Sequence, residues 1–198
     1  NDFLRDLDKT PDGTPVCITR YIRDLPVTEV KGKTYRFLNN VGYGIDGYCC
    51  EKGDDMRAAG VKNINYAGIA VKGLLFHYKP CGATVTVDGV SKHYKKVWIC
   101  PIMKGKYYGG GMIPTPGQDR SSGELSVCIF HGSGKLKTLM IFPKIFKGEH
   151  VKKAKNVTVL SGKEIKVVYD APRPLQIDGE TIRNATSAEA TVYSTVKA

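Results

Sequence analysis

The stretch "ATVTVDGVSKHYKKVWICPIM", residues 83–103, decides the fold class. Asp88-Gly89 is a favoured pair for a two-residue turn, and β-branched or aromatic residues alternate with polar ones on both sides of it. This pattern predicts an antiparallel hairpin that turns at Asp88-Gly89. Because an isolated hairpin cannot bury an apolar face, further strands are expected to pack on it.

Further strands and a few helices are indicated along the rest of the chain. Strands are predicted in "VTEVKGKTYRFLNN", which turns at Lys31-Gly32, in "GELSVCIF", in "NVTVLSGKEIKVVYD" and around the Asp178-Gly179 turn of "PLQIDGETI". Helices are predicted from Asn1 or Asp2, over 14–25, after Asn63, and over 135–147 with a bend at Pro143. The expected fold is mainly β (α+β): a two-layer antiparallel β-sandwich or open barrel with two or three helices.

The composition fits a globular protein with a substantial core. The chain has 198 residues, of which 41% are hydrophobic and 25% charged. It has no apolar run long enough for a transmembrane helix and no signal peptide pattern. It begins with Asn1 rather than Met, from which we expect a processed protein or a fragment of a longer one.

The cysteines do not indicate a metal site. They stand at positions 17, 49, 50, 81, 100 and 128, without a CxxC pair or a Cys/His spacing. We expect reduced thiols that fill strands in a cytosolic protein, and no zinc.

The formal net charge of +11 predicts an anionic partner. Nucleic acid, an anionic membrane surface and a phosphorylated substrate remain open, beside the plain alternative of solvated surface lysines. The run "KIFKGEHVKKAK", 144–155, mixes basic with apolar residues, which favours an anionic bilayer. Its predicted membrane-facing lysines are Lys144, Lys147, Lys152, Lys153 and Lys155. Recognition motifs typical of nucleic-acid-binding proteins are missing from the sequence, which argues against that partner.

Six ordered motifs carry a resemblance to a known family. They are "NDFLRDL", "FLNNVGYGIDG", "YAGIAVKGL", "YYGGGMIPTPGQDRSSGELSV", "FPKIFKGEH" and "PLQIDGE". In this order and spacing they resemble the diacylglycerol kinase-like lipid kinases, which include bacterial diacylglycerol and phosphatidylglycerol kinases and the sphingosine and ceramide kinases. The similarity covers nearly the whole chain. It implies an ATP-dependent kinase that phosphorylates a lipid hydroxyl at the inner face of the membrane, as a peripheral cytoplasmic protein.

The resemblance also implies a domain organisation. Family members begin with a nucleotide-binding half that carries a GGDGT-type phosphate loop, and this chain has no such stretch. We expect residues 1–26 to be a helical segment that belongs with that half, 27–183 to be the β-rich C-terminal domain, and 184–198 to be a terminal strand that packs on the missing half. ATP and Mg²⁺ would then be bound mainly by the missing half, and the chain alone would be inactive.

The family pattern assigns roles to the acidic turn. Asp178 matches the acid that serves as general base, and Glu180 matches a second acid that would orient Asp178 or the acceptor hydroxyl. Turn chemistry alone is the plainer interpretation of both. Asn1 and Asp2 match a pair at the nucleotide end of the cleft, although Asp2 would also cap a helix. Lys72 matches a lysine of the phosphate network, with snorkelling from an apolar helix as the alternative.

One motif departs from the family pattern. Where family members carry paired acids that bind a structural Mg²⁺, this chain has Ser121 and Ser122, and a later acid is replaced by Ser126. Because serine hydroxyls are poor ligands for Mg²⁺, we predict that this metal site is absent or much weakened, and that serine and backbone hydrogen bonds hold the loop.

The remaining glycine-rich segments, 40–46 and 106–112, are predicted to be loops rather than nucleotide cradles. Asp46, in the first of them, matches a family acid whose role is structural or functional. Three functions stay open: part of a lipid kinase, a non-enzymatic module that binds anionic lipid, and a nucleic-acid-binding β-barrel. Strand edges exposed by a missing half would favour a homo-oligomer.

Overall fold

The structure is a computed structural model that describes residues 2–153 and 155–192. Its strands are β1 Val27–Val30, β2 Lys33–Arg36, β3 Asn40–Gly44, β4 Cys81–Val87, β5 Val90–Val97, β6 Ile99–Met103, β7 Leu125–Phe130, β8 Val157–Gly162, β9 Glu164–Ile177 and β10 Glu180–Thr191. All paired strands are antiparallel. The predicted β-rich class is confirmed.

Short helices connect and cover these strands. They are α1 Asp2–Leu7, α2 Thr19–Ile22, α3 Ile45–Ala58, α4 Tyr66–Lys72, a π-helix Gly73–His77, α5 Lys135–Ile141, and two 3₁₀ helices, Phe142–Lys147 and Glu149–Lys152. Pro143 stands at the start of the first 3₁₀ helix, where the bend was predicted.

Strand β9 joins two parts of the sheet. The main path runs β2-β1-β10-β9-β3-β6-β7-β8, and β4, which also pairs with β5, is attached beside it to β9. Residues 165–169 of β9 pair with β4, whereas residues 175–177 pair with β3. Pro172 and Pro174 lie between these stretches. Since proline has no N–H to donate, it interrupts one ladder where the other begins.

The core lies on both faces of the central strands. Alternate residues of β6 point into different clusters: Ile102 packs with Tyr43 and Leu175 between the two parts of the sheet, whereas Ile99 packs with Trp98 beneath the helices. Every residue of β6 and β7 is buried. This two-sided burial explains why these strands read as continuous apolar runs.

The three predicted tight turns are present. Lys31-Gly32, Asp88-Gly89 and Asp178-Gly179 all have positive φ at both residues, as type I′ hairpin turns require.

Two predictions differ from the structure. The predicted helix over 14–25 is only the single turn Thr19–Ile22, because β-branched residues disfavour a longer helix. Segment 40–46 is not a loop: it forms β3 and leads at Ile45 into α3. Strand β10 runs through the expected boundary at 183/184, and its later residues pair with β1 and β9, while the predicted division into domains stays a prediction. Packing of this strand on a further domain stays a prediction, and residues 193–198 lie outside the described part.

Candidate functional site

A cavity of about 330 Å³ opens beside the Asp178-Gly179 turn. It is lined by Leu38, Asn39, Asn40, Asp46, Cys50, Tyr108, Gly109, Gln176, Asp178 and Gly179. The lining comes from the β2–β3 segment, α3, the 106–112 segment and the β9–β10 turn. Residues far apart in the sequence therefore meet at one cavity.

The Asp178 carboxylate is held by backbone N–H groups. Its Oδ2 accepts from Leu38 N at 2.5 Å, and its Oδ1 accepts from Asn39 N at 2.8 Å and Asn40 N at 2.9 Å. Oδ1 is thus saturated, while Oδ2 keeps one lone pair for a further donor. The side chain is exposed at the cavity, so that an acceptor hydroxyl could reach this lone pair.

The second Asp-Gly turn separates turn chemistry from site chemistry. At the β4–β5 turn, Asp88 Oδ1 likewise accepts from Lys163 N and Glu164 N, both at 2.9 Å. The backbone bonds of Asp178 are therefore what an aspartate at such a turn makes in this fold. What distinguishes Asp178 is the cavity, which it shares with Asp46.

Asp46 lies in the first turn of α3 and faces the same cavity. Its Oδ2 accepts from Gln176 Nε2 at 2.8 Å, and a Cβ added to Gly42 would lie only 1.8 Å from that oxygen. The carboxyl group is thus packed against the sheet backbone. Burial raises its pKa from 3.8 to about 7, although the Gln176 hydrogen bond acts in the opposite direction. Near neutral pH this group can both donate and accept a proton.

Gln176 links the two acids. Its Oε1 accepts from Gly179 N at 2.7 Å while its Nε2 donates to Asp46. The side chain is only 2% exposed, so that its amide is fixed between the turn and α3.

We expect Asp46→Asn to change how stability depends on pH. The unfolded chain ionises this carboxyl above about pH 4, whereas the folded protein keeps the proton until about pH 7. The Asp46 contribution therefore becomes increasingly unfavourable as pH rises between these values. The variant should flatten this part of the curve and be up to about 4 kcal/mol more stable than the parent above pH 7, since each pKa unit corresponds to about 1.4 kcal/mol. Urea unfolding across pH measures this, with the exposed Asp12→Asn as control, and an unchanged slope in Asp46→Asn would contradict it.

Asp2 anchors the start of the chain to the cavity wall. Its carboxylate accepts from Lys106 N at 3.1 Å and Tyr107 N at 3.2 Å, and forms an ion pair with Arg120 at 3.2 Å. Arg120 Nη1 also donates to the carbonyl of Leu38 at 2.6 Å. A network thus connects α1 to the segment that holds Asp178. Asn1, its predicted companion, lies outside the described residues.

Glu180 and Lys72 are not among the residues that line this cavity. Glu180 is exposed at the start of β10, and in the described structure Asp178 is oriented by backbone N–H groups rather than by Glu180. Lys72 lines a separate groove of about 330 Å³ between α3 and α4, with Lys52 and His77. The predicted roles of Glu180 toward the acceptor hydroxyl and of Lys72 toward phosphate stay predictions.

The serine loop does not fit a magnesium site. Ser126 Oγ donates to Gln118 Oε1 and lies 2.7 Å from Ser161 Oγ, while Ser122 Oγ donates to the Asp119 carbonyl at 2.8 Å. Ser121 contributes its backbone N–H to Asp119 Oδ1 at 2.9 Å. The hydroxyls of Ser122 and Ser126 thus help to hold the loop, and hydroxyls are weak ligands for a hard dication. We derive no catalytic step through a metal at this loop.

The five predicted membrane-facing lysines lie on and after the two 3₁₀ helices. Lys147, Lys152, Lys153 and Lys155 are exposed and Lys144 is half-buried, so that their contact with a bilayer stays a prediction. In the described part of the chain, no helix is both long and apolar enough to span a membrane.

Sequence reasoning missed Arg120 and Gln176 and left the role of Asp46 undecided. Arg120 donates to Leu38 and Gln176 donates to Asp46, and in each pair the two residues are at least 80 positions apart in the chain. The adjacency of Gln176 to the Asp-Gly turn was the one local signal for that residue.

Comparisons with known proteins agree on one family. The family model described as "YegS C-terminal NAD kinase beta sandwich-like domain" matches residues 39–195. A diacylglycerol kinase of Mycobacterium tuberculosis (strain H37Rv) is 30% identical over 83 residues, which are 42% of this chain and 27% of that protein. The "Putative lipid kinase YtlR" of Bacillus subtilis (strain 168) is 21% identical over 188 residues, 90% of this chain and 59% of that protein.

Solved structures show the same fold. A crystal structure from Bacillus anthracis (strain Sterne), described as a "putative diacylglycerol kinase", has a TM-score of 0.59 at 17% identity, and the match covers 87% of this chain and 58% of that one. The chain thus spans less than two thirds of the length of these relatives.

Proposed function

Because this chain belongs to the family of YegS C-terminal, NAD kinase β-sandwich-like domains, we propose that it forms the acceptor side of an ATP-dependent lipid kinase. The reaction would transfer the γ-phosphoryl group of ATP to the hydroxyl of a diacylglycerol-like lipid. The observation that carries the proposal is the cavity shared by Asp178 and Asp46. The names of the relatives support the choice of a lipid as substrate.

Asp178 is the proposed general base. Phosphoryl transfer to an alcohol needs a group that accepts the hydroxyl proton while the oxygen attacks. The free lone pair of Asp178 Oδ2 is the acceptor available for that proton, and the three backbone N–H groups keep it in place. A carboxylate held in this way needs no reorganisation when the hydroxyl arrives.

Two further groups could hold the head of the acceptor lipid. Asn40 Nδ2 and the Tyr108 hydroxyl are buried, and neither has a hydrogen-bond partner in the described structure, although both residues line the cavity. Since an unmet buried donor is costly, oxygen atoms of a bound ligand would satisfy them. Asp46, protonated in part near neutral pH, adds less negative charge beside the incoming phosphate than a fully ionised acid would.

The nucleotide is expected to lie mainly outside this chain. The glycine-rich segment 40–46 passes from β3 directly into α3, without the intervening loop that cradles phosphates in a P-loop. Magnesium bound with ATP would neutralise the phosphate charge, as in other phosphoryl transfers.

The test is an assay of the full-length gene product that contains this chain. Incubated with ATP labelled at the γ-phosphate, Mg²⁺ and dioctanoylglycerol, it should place the label in the lipid. Cys50→Trp, which fills the cavity, should reduce this transfer more than tenfold, because the acceptor can no longer enter. Labelled lipid formed equally by the parent and the Cys50→Trp variant would reject this cavity, and no labelled lipid with any alcohol tested would reject the function.

A further inference from the structure

The helical side of the fold exposes large apolar side chains. Phe76 on the π-helix and Leu136 and Met140 on α5 are 70%, 74% and 67% exposed, and Val71 on α4 is 47% exposed. We call these four residues the helical face. A helix at a surface that faces water normally turns its large apolar side chains toward the core. The outward position of these four side chains therefore indicates a surface that binds a partner.

The exposed residues lie on adjoining elements. Lys135 Nζ donates to the carbonyl of Leu75 at 2.9 Å, which joins the start of α5 to the π-helix immediately before Phe76. Leu136 and Met140 are one turn apart on α5 and share a side, while Thr138 and Ile141 of the same helix are buried. α5 thus carries apolar residues on its outer side as well as toward the core.

The two sequence segments that carry the helical face have charges of one sign. Segments 61–79 and 125–148 contain no Asp or Glu, and their lysines are Lys62, Lys72, Lys79, Lys135, Lys137, Lys144 and Lys147. Exposed apolar side chains beside lysines suit an anionic bilayer, which offers a hydrocarbon layer beneath negative head groups. Two copies of the same face would repel each other, and nucleic acid offers the negative charge without the hydrocarbon.

A single helix separates this side from the cavity. Asp46 and Cys50 of α3 line the cavity, whereas Tyr48 of α3 packs on Gly73, the first residue of the π-helix. The packing of Tyr48 is close, since a Cβ added to Gly73 would lie 2.7 Å from its ring. An α-helix is only about 10 Å across, so that a lipid at the helical face is near the acceptor cavity.

We propose that the helical face is the surface that inserts into an anionic bilayer. The proposal rests on the proposed function, since a kinase that acts on a membrane lipid must reach it at the bilayer. It differs from the lysine run at 144–155, with which it shares only Lys144 and Lys147. The apolar residues 71, 76, 136 and 140 enter the membrane, and the nearby lysines meet its head groups.

Vesicle sedimentation of the chain itself tests the proposal. The chain should sediment with vesicles of phosphatidylcholine and phosphatidylglycerol and much less with phosphatidylcholine alone. The triple variant Phe76→Ser, Leu136→Ser, Met140→Ser should bind at least about tenfold more weakly. A matched triple, Leu4→Ser, Ile18→Ser, Val90→Ser, removes residues exposed by 55%, 55% and 75% elsewhere and should bind within about twofold of the parent.

Lysine variants separate the two candidate contacts. Lys62→Gln, Lys79→Gln and Lys137→Gln should each weaken binding about fivefold at low salt and less at high salt. If Lys152→Gln, Lys153→Gln and Lys155→Gln abolish binding while the apolar triple variant binds normally, the proposal is wrong. It is also overturned if the chain binds an oligonucleotide and not vesicles, or if the apolar triple variant only breaks a dimer seen by sedimentation equilibrium.

The two proposals fail in different experiments. Normal vesicle binding without lipid phosphorylation by the full-length gene product would reject the kinase and keep the docking surface. If dispersed dioctanoylglycerol is phosphorylated while the apolar triple variant binds vesicles as well as the parent does, the kinase proposal is kept and the docking surface is rejected.

Discussion

Asp178→Asn is expected to lower kcat/KM for the acceptor lipid about 10³-fold in the full-length gene product, because removal of a general base typically costs 10²- to 10⁴-fold. The asparagine can still accept from Asn39 N and Asn40 N through its carbonyl oxygen. Its NH₂ group, however, would face Leu38 N and cannot take a proton from the acceptor. The measurement is the initial rate of label transfer from ATP to dioctanoylglycerol.

Asp88→Asn is the matched control for that experiment. It makes the same substitution at the other Asp-Gly turn, where the carboxylate also accepts two backbone N–H groups. We expect its activity to stay within about twofold of the parent, while any loss of stability resembles that of Asp178→Asn. Equal activity losses in both variants would mean that Asp178 acts only through its turn, and full activity of Asp178→Asn would remove the base assignment.

Gly44→Ala is expected to lower the free energy of unfolding by about 3 to 5 kcal/mol. Gly44 joins β3 to α3 with φ 92° and ψ −140°, a region that is essentially restricted to glycine. A Cβ there would also lie 2.3 Å from the carbonyl oxygen of Trp98, which accepts from Ile45 N at 2.9 Å. The alanine must therefore shift the backbone that starts α3 and positions Asp46. Urea unfolding gives the value.

Gly60→Ala separates the two causes of that loss, which are the backbone conformation and the close contact with Trp98. Gly60 has a similar φ of 84°, but no atom lies within 4 Å of an added Cβ. Its substitution should cost only about 1 kcal/mol, from the conformation alone. If both variants lose the same amount, the contact with Trp98 is not what makes Gly44 necessary.

Sequence patterns predicted the hairpins well because their signals are local. At Lys31-Gly32, Asp88-Gly89 and Asp178-Gly179, a turn pair with positive φ stands between strands of alternating polarity. The helix α3 was missed for the opposite reason. Its sequence, "IDGYCCEKGDDMRA", carries two glycines that disfavour a helix, and Gly47 is required there because a Cβ would lie 2.0 Å from the Pro174 carbonyl oxygen.

The residues of the candidate site also differ in whether a local sequence signal could identify them. Asp178 could be named from its motif, since a motif is contiguous in the chain. The protonation state of Asp46 could not be predicted in this way, because its raised pKa comes from burial in the folded protein. Its partner Gln176, whose hydrogen bond acts against that rise, stands 130 positions away in the chain. The hydrogen bond from Arg120 to the Leu38 carbonyl likewise joins residues 82 positions apart, so that no sequence spacing predicts it.

By itself, the amino-acid sequence determined the β-rich class, the three tight turns and the family resemblance, since each rests on residues adjacent in the chain. Only the tertiary structure decided which acids share a cavity, which carboxylate is held by backbone N–H groups and which apolar side chains remain outside. Burial and hydrogen bonding depend on neighbours that the chain brings together only when it folds.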